Sequence, residues 1–265
     1  MRIPIYQLDA FTTRRFAGNP AAVMPLERFP DDALLQALAA ENNLAETAFL
    51  VADGDDYRLR WFTPTVEVPL CGHATLASAA VVMERLAPSR TSVVFHTASG
   101  PLTVEGRGDR YAMDFPARPG VAIDTPDALI AALGARPVAT LDNGVNLLAV
   151  LARAADVRDA APDLARVAAL DRHGVIVTAP GDDTADADAH FVSRYFAPAI
   201  GVPEDPVTGS AHCMLAPYWA DRLGRTDLRA HQASARGGDL RCRVVGDRVE
   251  LEGACVFYLE GTVTV

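Results

Sequence analysis

Short apolar segments alternate with turn residues along most of the chain. The clearest are RIPIYQLDAF, ETAFLVA, YRLRWFT, TSVVFHT and RYAMDFP, each rich in Val, Ile, Leu, Phe or Tyr. Gly, Pro and Asp bound these segments, which is the pattern of strands joined by turns. The sequence therefore predicts a fold made mainly of antiparallel strands.

Longer apolar runs predict a smaller number of helices. PDDALLQALAAENN at 30–43 has acids in its first turn followed by an apolar repeat, which is typical of a helix. Two more runs begin at Gly72 and at Gly209, and TPDALIAALG at 125–134 is a further candidate. The run from Ala74 to Met83 is apolar on every side, so we expect it to lie inside the fold.

Part of the sequence occurs twice. RWFTPTVEVP at 60–69 returns as RYFAPAIGVP at 194–203, and after a three-residue insertion Gly72 matches Gly209 at the start of the second long run. A weaker similarity upstream relates ETAFLVA at 46–52 to GVIVTAP at 174–180. Two copies of this length predict two similar lobes, each with a barrel-like, mainly antiparallel sheet around a central helix.

The predicted fold class is therefore α+β. We divide the chain into an N-terminal lobe over residues 1–120 and a C-terminal lobe over residues 121–265, with the connection in the Pro-rich and Ala-rich stretch at 116–137. The alternative that the final strands pack back on the N-terminal lobe stays open.

Composition narrows the range of partners. Half of the 265 residues are hydrophobic, so a buried core is expected. The formal net charge of −10 disfavours nucleic acids and anionic membranes as partners, because binding phosphates requires clustered Lys and Arg. We see no signal peptide and no membrane-spanning stretch, and the four cysteines show neither metal-ligand nor disulfide-framework spacing. We therefore expect a cytoplasmic protein without a metal site.

Each of the two long apolar runs begins at a glycine. The start of a buried helix presents unpaired backbone N–H groups and the positive end of its dipole, which suit a carboxylate or an oxyanion. In a duplicated protein we expect the two starts, at Gly72 and Gly209, to face each other between the lobes, where pockets commonly form. A small anionic substrate is the expected partner.

Polar side chains gather at these two starts. His73 follows the first glycine, and the second is surrounded in PEDPVTGSAH by Glu204, Asp205, Thr208 and Ser210. Each alone has an ordinary structural explanation, since histidines are often buried and hydrogen-bonded, Asp-Pro forms turns and Ser caps helices. Their concentration at the two repeated positions favours a functional site.

Glu46 is a candidate general base. NNLAETAFLVA places a lone acid beside an apolar strand, whereas the corresponding RHGVIVTAP of the second half has no acid. Burial disfavours the charged form of a carboxylate, which brings such an acid towards the range in which it can exchange protons. The alternative is an acid in solvent at a turn or strand edge.

Four motifs together resemble those of the PhzF-type phenazine-biosynthesis proteins, relatives of diaminopimelate epimerase and proline racemase. They are NLAETAF, FTPTVEVPLCGHATLA, EDPVTGSAH and ASARGGDL, in this order over nearly the whole chain. The resemblance implies two lobes with the active site in the cleft between them, a homodimer, and no metal or organic cofactor. It also implies an isomerase like the one that acts on trans-2,3-dihydro-3-hydroxyanthranilate, in which a glutamate moves a proton. CGHAT here departs from the AGHPT-like form of the phenazine enzymes, which leaves the substrate open.

The resemblance also implies roles for individual residues. The implied catalytic residues are Glu46, His73 and Asp205, and Ser210 is implied to bind the substrate. Gly72, Thr208 and Gly209 are further expected substrate-binding residues, because they lie at the two helix starts. Cys71 matches one of the two thiols of the epimerases and racemases, but Val207 or Thr208 stands near the second position, and Cys213 comes too late. A cysteine-dependent epimerase or racemase and a non-catalytic small-molecule-binding protein are the alternative functions.

Overall fold

The computed structural model describes residues 1–182 and 188–265, which form two compact units. Unit 1 comprises residues 1–114 and 252–265, and unit 2 comprises residues 115–251. In chain order the strands are β1 (Arg2–Ala10), β2 (Asn19–Leu26), β3 (Glu46–Asp53), β4 (Asp56–Phe62), β5 (Glu67–Val68), β6 (Ser92–Thr97), β7 (Gly100–Arg107), β8 (Arg110–Pro116), β9 (Val121–Ile123), β10 (Ala139–Asp142), β11 (Asn146–Val150), β12 (Gly174–Pro180), β13 (Phe191–Ala197), β14 (Val202–Asp205), β15 (Asp227–Gln232), β16 (Gly238–Val245), β17 (Arg248–Gly253) and β18 (Cys255–Thr264). The helices are α1 (Asp32–Asn42), α2 (Gly72–Val81), α3 (Asp127–Leu133), α4 (Ala154–Arg158), α5 (Leu164–Ala168) and α6 (Gly209–Leu223).

Unit 1 combines antiparallel pairs with two parallel steps. β1 lies antiparallel to both β18 and β2, whereas β2 and β3 are parallel. β3 and β4 are antiparallel, β4 and β6 are parallel, and β6, β7 and β8 continue as antiparallel neighbours. The last strand of the chain thereby joins the first strand within one unit.

Unit 2 repeats this order of pairings. β10 and β11 are antiparallel, β11 and β12 parallel, and β12 and β13 antiparallel. β13 and β15 are again parallel, and β15 and β16 antiparallel. The parallel steps fall at the same places in both units, so the repeated sequence produces a repeated topology. The α+β class predicted from the sequence is confirmed.

Helix α2 is buried within unit 1. Every residue from His73 to Val81 is buried, and the helix contacts β1, β2, β3 and β18. Thr75 and Ser78 donate their hydroxyls to backbone carbonyls one turn earlier, so these polar groups are hydrogen-bonded inside the core. The predicted interior position of this apolar run is confirmed.

Helix α1 packs against the sheet of unit 1 from outside. Asp31 caps its first turn by accepting from the backbone N–H of Leu34 at 2.8 Å, and Asn43 ends it in the left-handed conformation. The helix buries Leu35 and Leu38 in a cluster with Phe49 and other side chains of the strands. The helix predicted at 30–43 is therefore present.

Helix α6 begins at Gly209, as predicted, and contacts β15 and β16 of unit 2. Its buried Trp219 stacks on Phe191 with the ring centroids 5.8 Å apart and donates to the hydroxyl of Thr178. The shorter α3, α4 and α5 cover a second apolar cluster formed with β11, β12 and β13. Among the described residues, no helix has the length and apolar character needed to cross a membrane.

Gly18 makes the turn that leads into β2 possible. Its φ is 65°, and a Cβ at this position would collide with the carbonyl oxygen of Ala10. Gly54 has a similar φ of 63°, but nothing lies within 4 Å of the place its Cβ would take. We expect Gly18→Ala to lower the free energy of unfolding by roughly 1–3 kcal/mol more than Gly54→Ala, because only the first adds steric overlap to backbone strain. Equilibrium urea unfolding of both variants measures the difference, and equal losses would contradict this account.

Candidate active site

Three polar side chains converge at the start of α2. Asn19 is the first residue of β2, Glu46 is the first residue of β3, and His73 is the second residue of α2. β2 and β3 are parallel, with Ala21 beside Glu46, so both strands begin at the same edge of the sheet. The pairing of the strands thus brings residues that are distant in sequence to one helix start.

His73 lies between the other two side chains. Its Nε2 is 3.2 Å from Oε2 of Glu46, and its Nδ1 is 3.2 Å from Nδ2 of Asn19. An amide nitrogen can only donate, so Nδ1 is the acceptor and the neutral ring carries its proton on Nε2, beside the carboxylate. The Nε2 and Oε2 atoms are close without the alignment of a full hydrogen bond.

Burial decides the charge of His73. The desolvation of the buried ring lowers the pKa of His73 to about 3, against a smaller opposing effect of the backbone of Pro20. Glu46 is less enclosed, since 18% of its side chain is exposed compared with 6% for His73. A neutral ring N–H beside a partly exposed carboxylate can orient that carboxylate without cancelling its charge.

Cys71 stands directly before α2 and is also buried. Its Sγ lies 3.5 Å from Nδ1 of His73. A thiolate is stabilised by a neighbouring positive charge or by a helix N-terminus. Cys71 lies at such a terminus, and the neutral ring of His73 adds no charge to it.

Within the part of the chain that the structure describes, Glu46, Cys71 and His73 are grouped closely enough to hold a metal ion. The ligand atoms of Glu46, Cys71 and His73 lie within 4.8 Å of one another. Carboxylate, thiolate and imidazole are all ligands of Zn²⁺. A bound ion would engage both the carboxylate and the ring, so metal binding and proton transfer by Glu46 are alternative uses of these groups.

Unit 2 has a second polar cluster at the start of α6. Thr208 directly precedes the buried Gly209, and its hydroxyl donates to Oδ2 of Asp205. Gln232, at the end of β15, forms hydrogen bonds to the backbone of Asp205 and to Thr208. Ser210 is exposed at the second position of the helix. Asp205, Thr208, Gly209 and Ser210 are therefore close together, as their spacing in the sequence predicts.

Glu204 is adjacent to Asp205 but has a different partner. Its carboxylate forms a bidentate pair with Arg194 at 2.7 and 2.9 Å. Unit 1 contains the same arrangement, since Arg60 pairs with both oxygens of Glu67 at 2.7 Å. Both arginines also lie over the ring of the phenylalanine two residues later, at 5.1 and 4.9 Å from its centroid.

These ion pairs correct the alignment of the two copies. Glu67 lies five residues before Gly72, and Glu204 lies five residues before Gly209. Because both glutamates bind the repeated arginine, the three-residue insertion precedes the glutamate of the second copy. Sequence matching alone places the insertion later, after Pro203, because VEVP and IGVP happen to resemble each other.

A repeated serine supports the corrected alignment. Ser99 donates to the carbonyl oxygen of Pro69 at 2.7 Å, and Ser234 donates to that of Pro206 at 2.8 Å. Each proline lies three residues before the glycine that begins the helix. Thr208 is therefore the counterpart of Cys71, since each is the last residue before its helix.

Glu46 has no acidic counterpart in unit 2. Gly174 begins β12 as Glu46 begins β3, and each strand follows a parallel neighbour. A Cβ at Gly174 would lie 2.5 Å from the carbonyl oxygen of Phe196 and 2.8 Å from the ring of Tyr195. The absence of an acid at this position thus has a steric cause.

Sequence reasoning missed Asn19 and Gln232 as members of the two clusters. Asn19 lies in GNP after the turn glycine, and only the parallel pairing of β2 with β3 reveals its proximity to His73. For Gln232 a signal exists in the sequence, since HTAS at 96–99 returns as HQAS at 231–234.

The comparisons with known proteins assign the family. Residues 8–261 match the PhzC–PhzF family of phenazine biosynthesis-like proteins, which is nearly the whole chain. The chain belongs to the PhzF family. The family resemblance carried by the four sequence motifs is therefore confirmed.

Individual relatives extend this assignment. This PhzF-family chain is 50% identical over 262 residues, 99% of each sequence, to a Pseudomonas aeruginosa protein named as an uncharacterized isomerase. A crystal structure of a PhzF-family phenazine biosynthesis protein from Enterococcus faecalis has 43% identity and a TM-score of 0.96 over 100% of both chains. A hydroxyproline epimerase from Agrobacterium vitis, with 12% identity and a TM-score of 0.60 over 99% of this chain and 92% of its own, shares the fold alone. The protein is an isomerase of the PhzF family.

The buried environment of His73 leads to a spectroscopic prediction. We expect the imidazole of His73 to remain neutral, with its proton on Nε2, between about pH 5 and 8, where an ordinary histidine titrates. Its pKa of about 3 lies below this interval. Imidazole ¹⁵N NMR shifts followed through the interval test this, with His73→Gln assigning the signal. A His73 signal that titrates between these pH values would show that the ring is less buried than described.

Proposed function

We propose that this isomerase moves a proton on a small carboxylate-bearing substrate, with Glu46 as general base and then general acid, without a metal or organic cofactor. The observation that supports this most directly is the partly exposed carboxylate of Glu46, 3.2 Å from Nε2 of a neutral His73. An accessible carboxylate beside a neutral N–H can accept a proton from carbon.

The proposed reaction balances without any change in oxidation. Glu46 takes the proton from one carbon, and the electron pair of that C–H bond shifts into the conjugated system of the substrate. The resulting carboxylic acid then returns the proton to a different carbon. A positioned base of this kind contributes typically about 10²–10⁴ in rate.

The other side chains are proposed to position the substrate. Backbone N–H groups at Gly72 and Gly209 would hold a carboxylate or the negative charge that develops during the reaction, because the first turn of a helix leaves such donors unpaired. His73 would orient Glu46, and Asp205, Thr208 and Ser210 would bind polar groups of the substrate. These donors explain how a protein with a net charge of −10 could bind an anion.

The proposed substrate class is a cyclic amino acid with a mobile proton, similar to trans-2,3-dihydro-3-hydroxyanthranilate. The family membership supports this class, while the pathway is left open. The homodimer implied by the family resemblance and the cytoplasmic location expected from the sequence stay predictions.

An epimerase mechanism with Cys71 is disfavoured by the corrected alignment. Such a mechanism uses one thiol at each helix start. The counterpart of Cys71 is Thr208, whose hydroxyl donates a hydrogen bond to Asp205. Cys213 lies in the second turn of α6, where its thiol contacts the carbonyl oxygen of Gly209. Neither residue supplies a second thiol before the helix.

The roles of Glu46 and Cys71 can be separated by substitution. We expect Glu46→Gln to lower turnover by at least about 10²-fold, because the amide keeps the shape of the side chain but cannot accept the proton. Cys71→Ser should retain most of the rate, since only a mechanism that needs the thiolate loses it. The measurement is incorporation of solvent deuterium into trans-2,3-dihydro-3-hydroxyanthranilate and related cyclic amino acids, followed by mass spectrometry.

Circular dichroism and thermal unfolding of both variants control for misfolding. An inactive Cys71→Ser variant together with a near-normal Glu46→Gln variant would overturn the assignment and support the epimerase mechanism.

Asp205 and Glu204 form a matched pair for testing substrate binding. We expect Asp205→Ala to weaken binding of anthranilate, a stable aromatic analogue, by about tenfold, the effect of losing one hydrogen bond to a charged group. Glu204→Ala should leave binding nearly unchanged but lower stability by about 1–3 kcal/mol, because it removes the carboxylate that pairs with Arg194. Titration calorimetry and urea unfolding measure the two effects. Equal effects on binding would remove Asp205 from the proposed site.

A further inference from the structure

The starts of α2 and α6 differ in a hydrogen-bonded group of side chains that only unit 2 contains, formed by Asp205, Thr208 and Gln232. Counted back from the helix glycine, Val68 and Cys71 of unit 1 are replaced in unit 2 by Asp205 and Thr208. Both replacements introduce an oxygen-containing side chain, and both new groups lie within hydrogen-bonding distance of Gln232 or of each other.

The residue at the position of Gln232 also differs between the two units. In unit 1, β4 places Arg58 beside His96, and in unit 2, β13 places Val192 beside His231. Each of these partners lies two residues before the repeated arginine, so HTAS and HQAS occupy equivalent places. The counterpart of Gln232 is therefore Thr97, whose hydroxyl donates to Gly100 within its own turn.

Gln232 uses both ends of its carboxamide on the loop before α6. Nε2 donates to the carbonyl oxygen of Asp205 at 2.7 Å and to Oγ1 of Thr208 at 3.1 Å, while Oε1 accepts from the backbone N–H of Thr208 at 2.9 Å. The side chain is completely buried. A hydroxyl has one proton, so an Oγ1 that accepts from Gln232 directs that proton to Oδ2 of Asp205.

Gln232 is not the only side chain that holds this loop. In both units a serine two residues further on donates to the proline carbonyl before the helix, Ser99 to Pro69 and Ser234 to Pro206. Unit 1 forms its helix start with the serine and with Thr97 in place of the glutamine. The glutamine occurs where the loop carries the acid and the threonine.

We propose that Gln232 is a positioning residue of the active site, which directs the Thr208 hydroxyl onto Asp205 and so sets the orientation of that carboxylate towards the substrate. The proposal rests on the proposed function, in which Asp205 binds polar groups of the substrate. Gln232 acts through Thr208 and Asp205 and does not itself contact the substrate.

The test replaces Gln232 with the residue found in unit 1 and uses the serine as a control. Gln232→Thr removes the relay, by which we mean the hydrogen bonds from Gln232 to Thr208 and from Thr208 to Asp205. Gln232→Glu keeps the size of the side chain but loses the two hydrogen bonds that Gln232 donates. Ser234→Ala removes the shared contact to Pro206 and keeps the relay. Each variant is compared with Asp205→Ala and with the double variant Gln232→Thr/Asp205→Ala.

Two readouts distinguish positioning from general support of the fold. Calorimetric titration with anthranilate should show binding weakened about tenfold by Gln232→Thr, with no further loss in the double variant, because both changes disable the same carboxylate. Ser234→Ala should bind anthranilate as the unaltered protein does. Hydrogen exchange should be faster in the peptide spanning residues 205–211 of Gln232→Thr, even without ligand.

The outcomes also separate this proposal from the proposed function. Normal anthranilate binding by a folded Gln232→Thr variant, or losses that add in the double variant, would overturn the positioning role. If the unaltered protein binds no anthranilate, the proposed substrate class fails. The hydrogen-exchange measurement then tests by itself whether Gln232 holds the loop. Unchanged exchange in residues 205–211 of Gln232→Thr would reject the positioning role as well.

Discussion

The burial of α2 within the sheet of unit 1 is the constraint on which the candidate site depends. A helix enclosed on all sides brings its first turn, with His73, into a region where water is scarce. The ring is kept neutral by this burial, and Asn19 and Glu46 at the edge of β2 and β3 are the polar groups next to it. The same packing that stabilises the core therefore places a neutral N–H beside a carboxylate.

Duplication supplied two such helix starts, and each unit modified its copy differently. The arginine–glutamate pair and the serine–proline contact are retained in both, which shows that they belong to the framework of the helix start. Unit 1 carries Glu46, whereas Gly174 leaves no room for a side chain in unit 2. Unit 2 instead carries Asp205 with its hydrogen-bonded neighbours. Glu46, Asp205 and Thr208 are thus positions at which the two copies differ.

Much of the fold could be predicted because strands and helices leave local periodicities in sequence. The helix starts at Gly72 and Gly209, the strand that begins at Glu46 and the repeat of RWF as RYF all correspond to observed elements. The short helices α4 and α5 were not predicted, because they carry too few residues for a clear period. The position of the insertion was wrong, because similar tetrapeptides mislead an alignment that cannot use contacts.

The sequence by itself determined the fold class and the family, because local patterns and ordered motifs need no knowledge of distant contacts. Only the tertiary structure decided that Asn19 and Glu46 meet His73, that Glu204 binds Arg194, and that Gln232 joins Asp205 and Thr208. These contacts arise from strand pairing between segments far apart in the chain. The register of such pairing is set by the packing of the whole unit and leaves no periodic signal in any one segment.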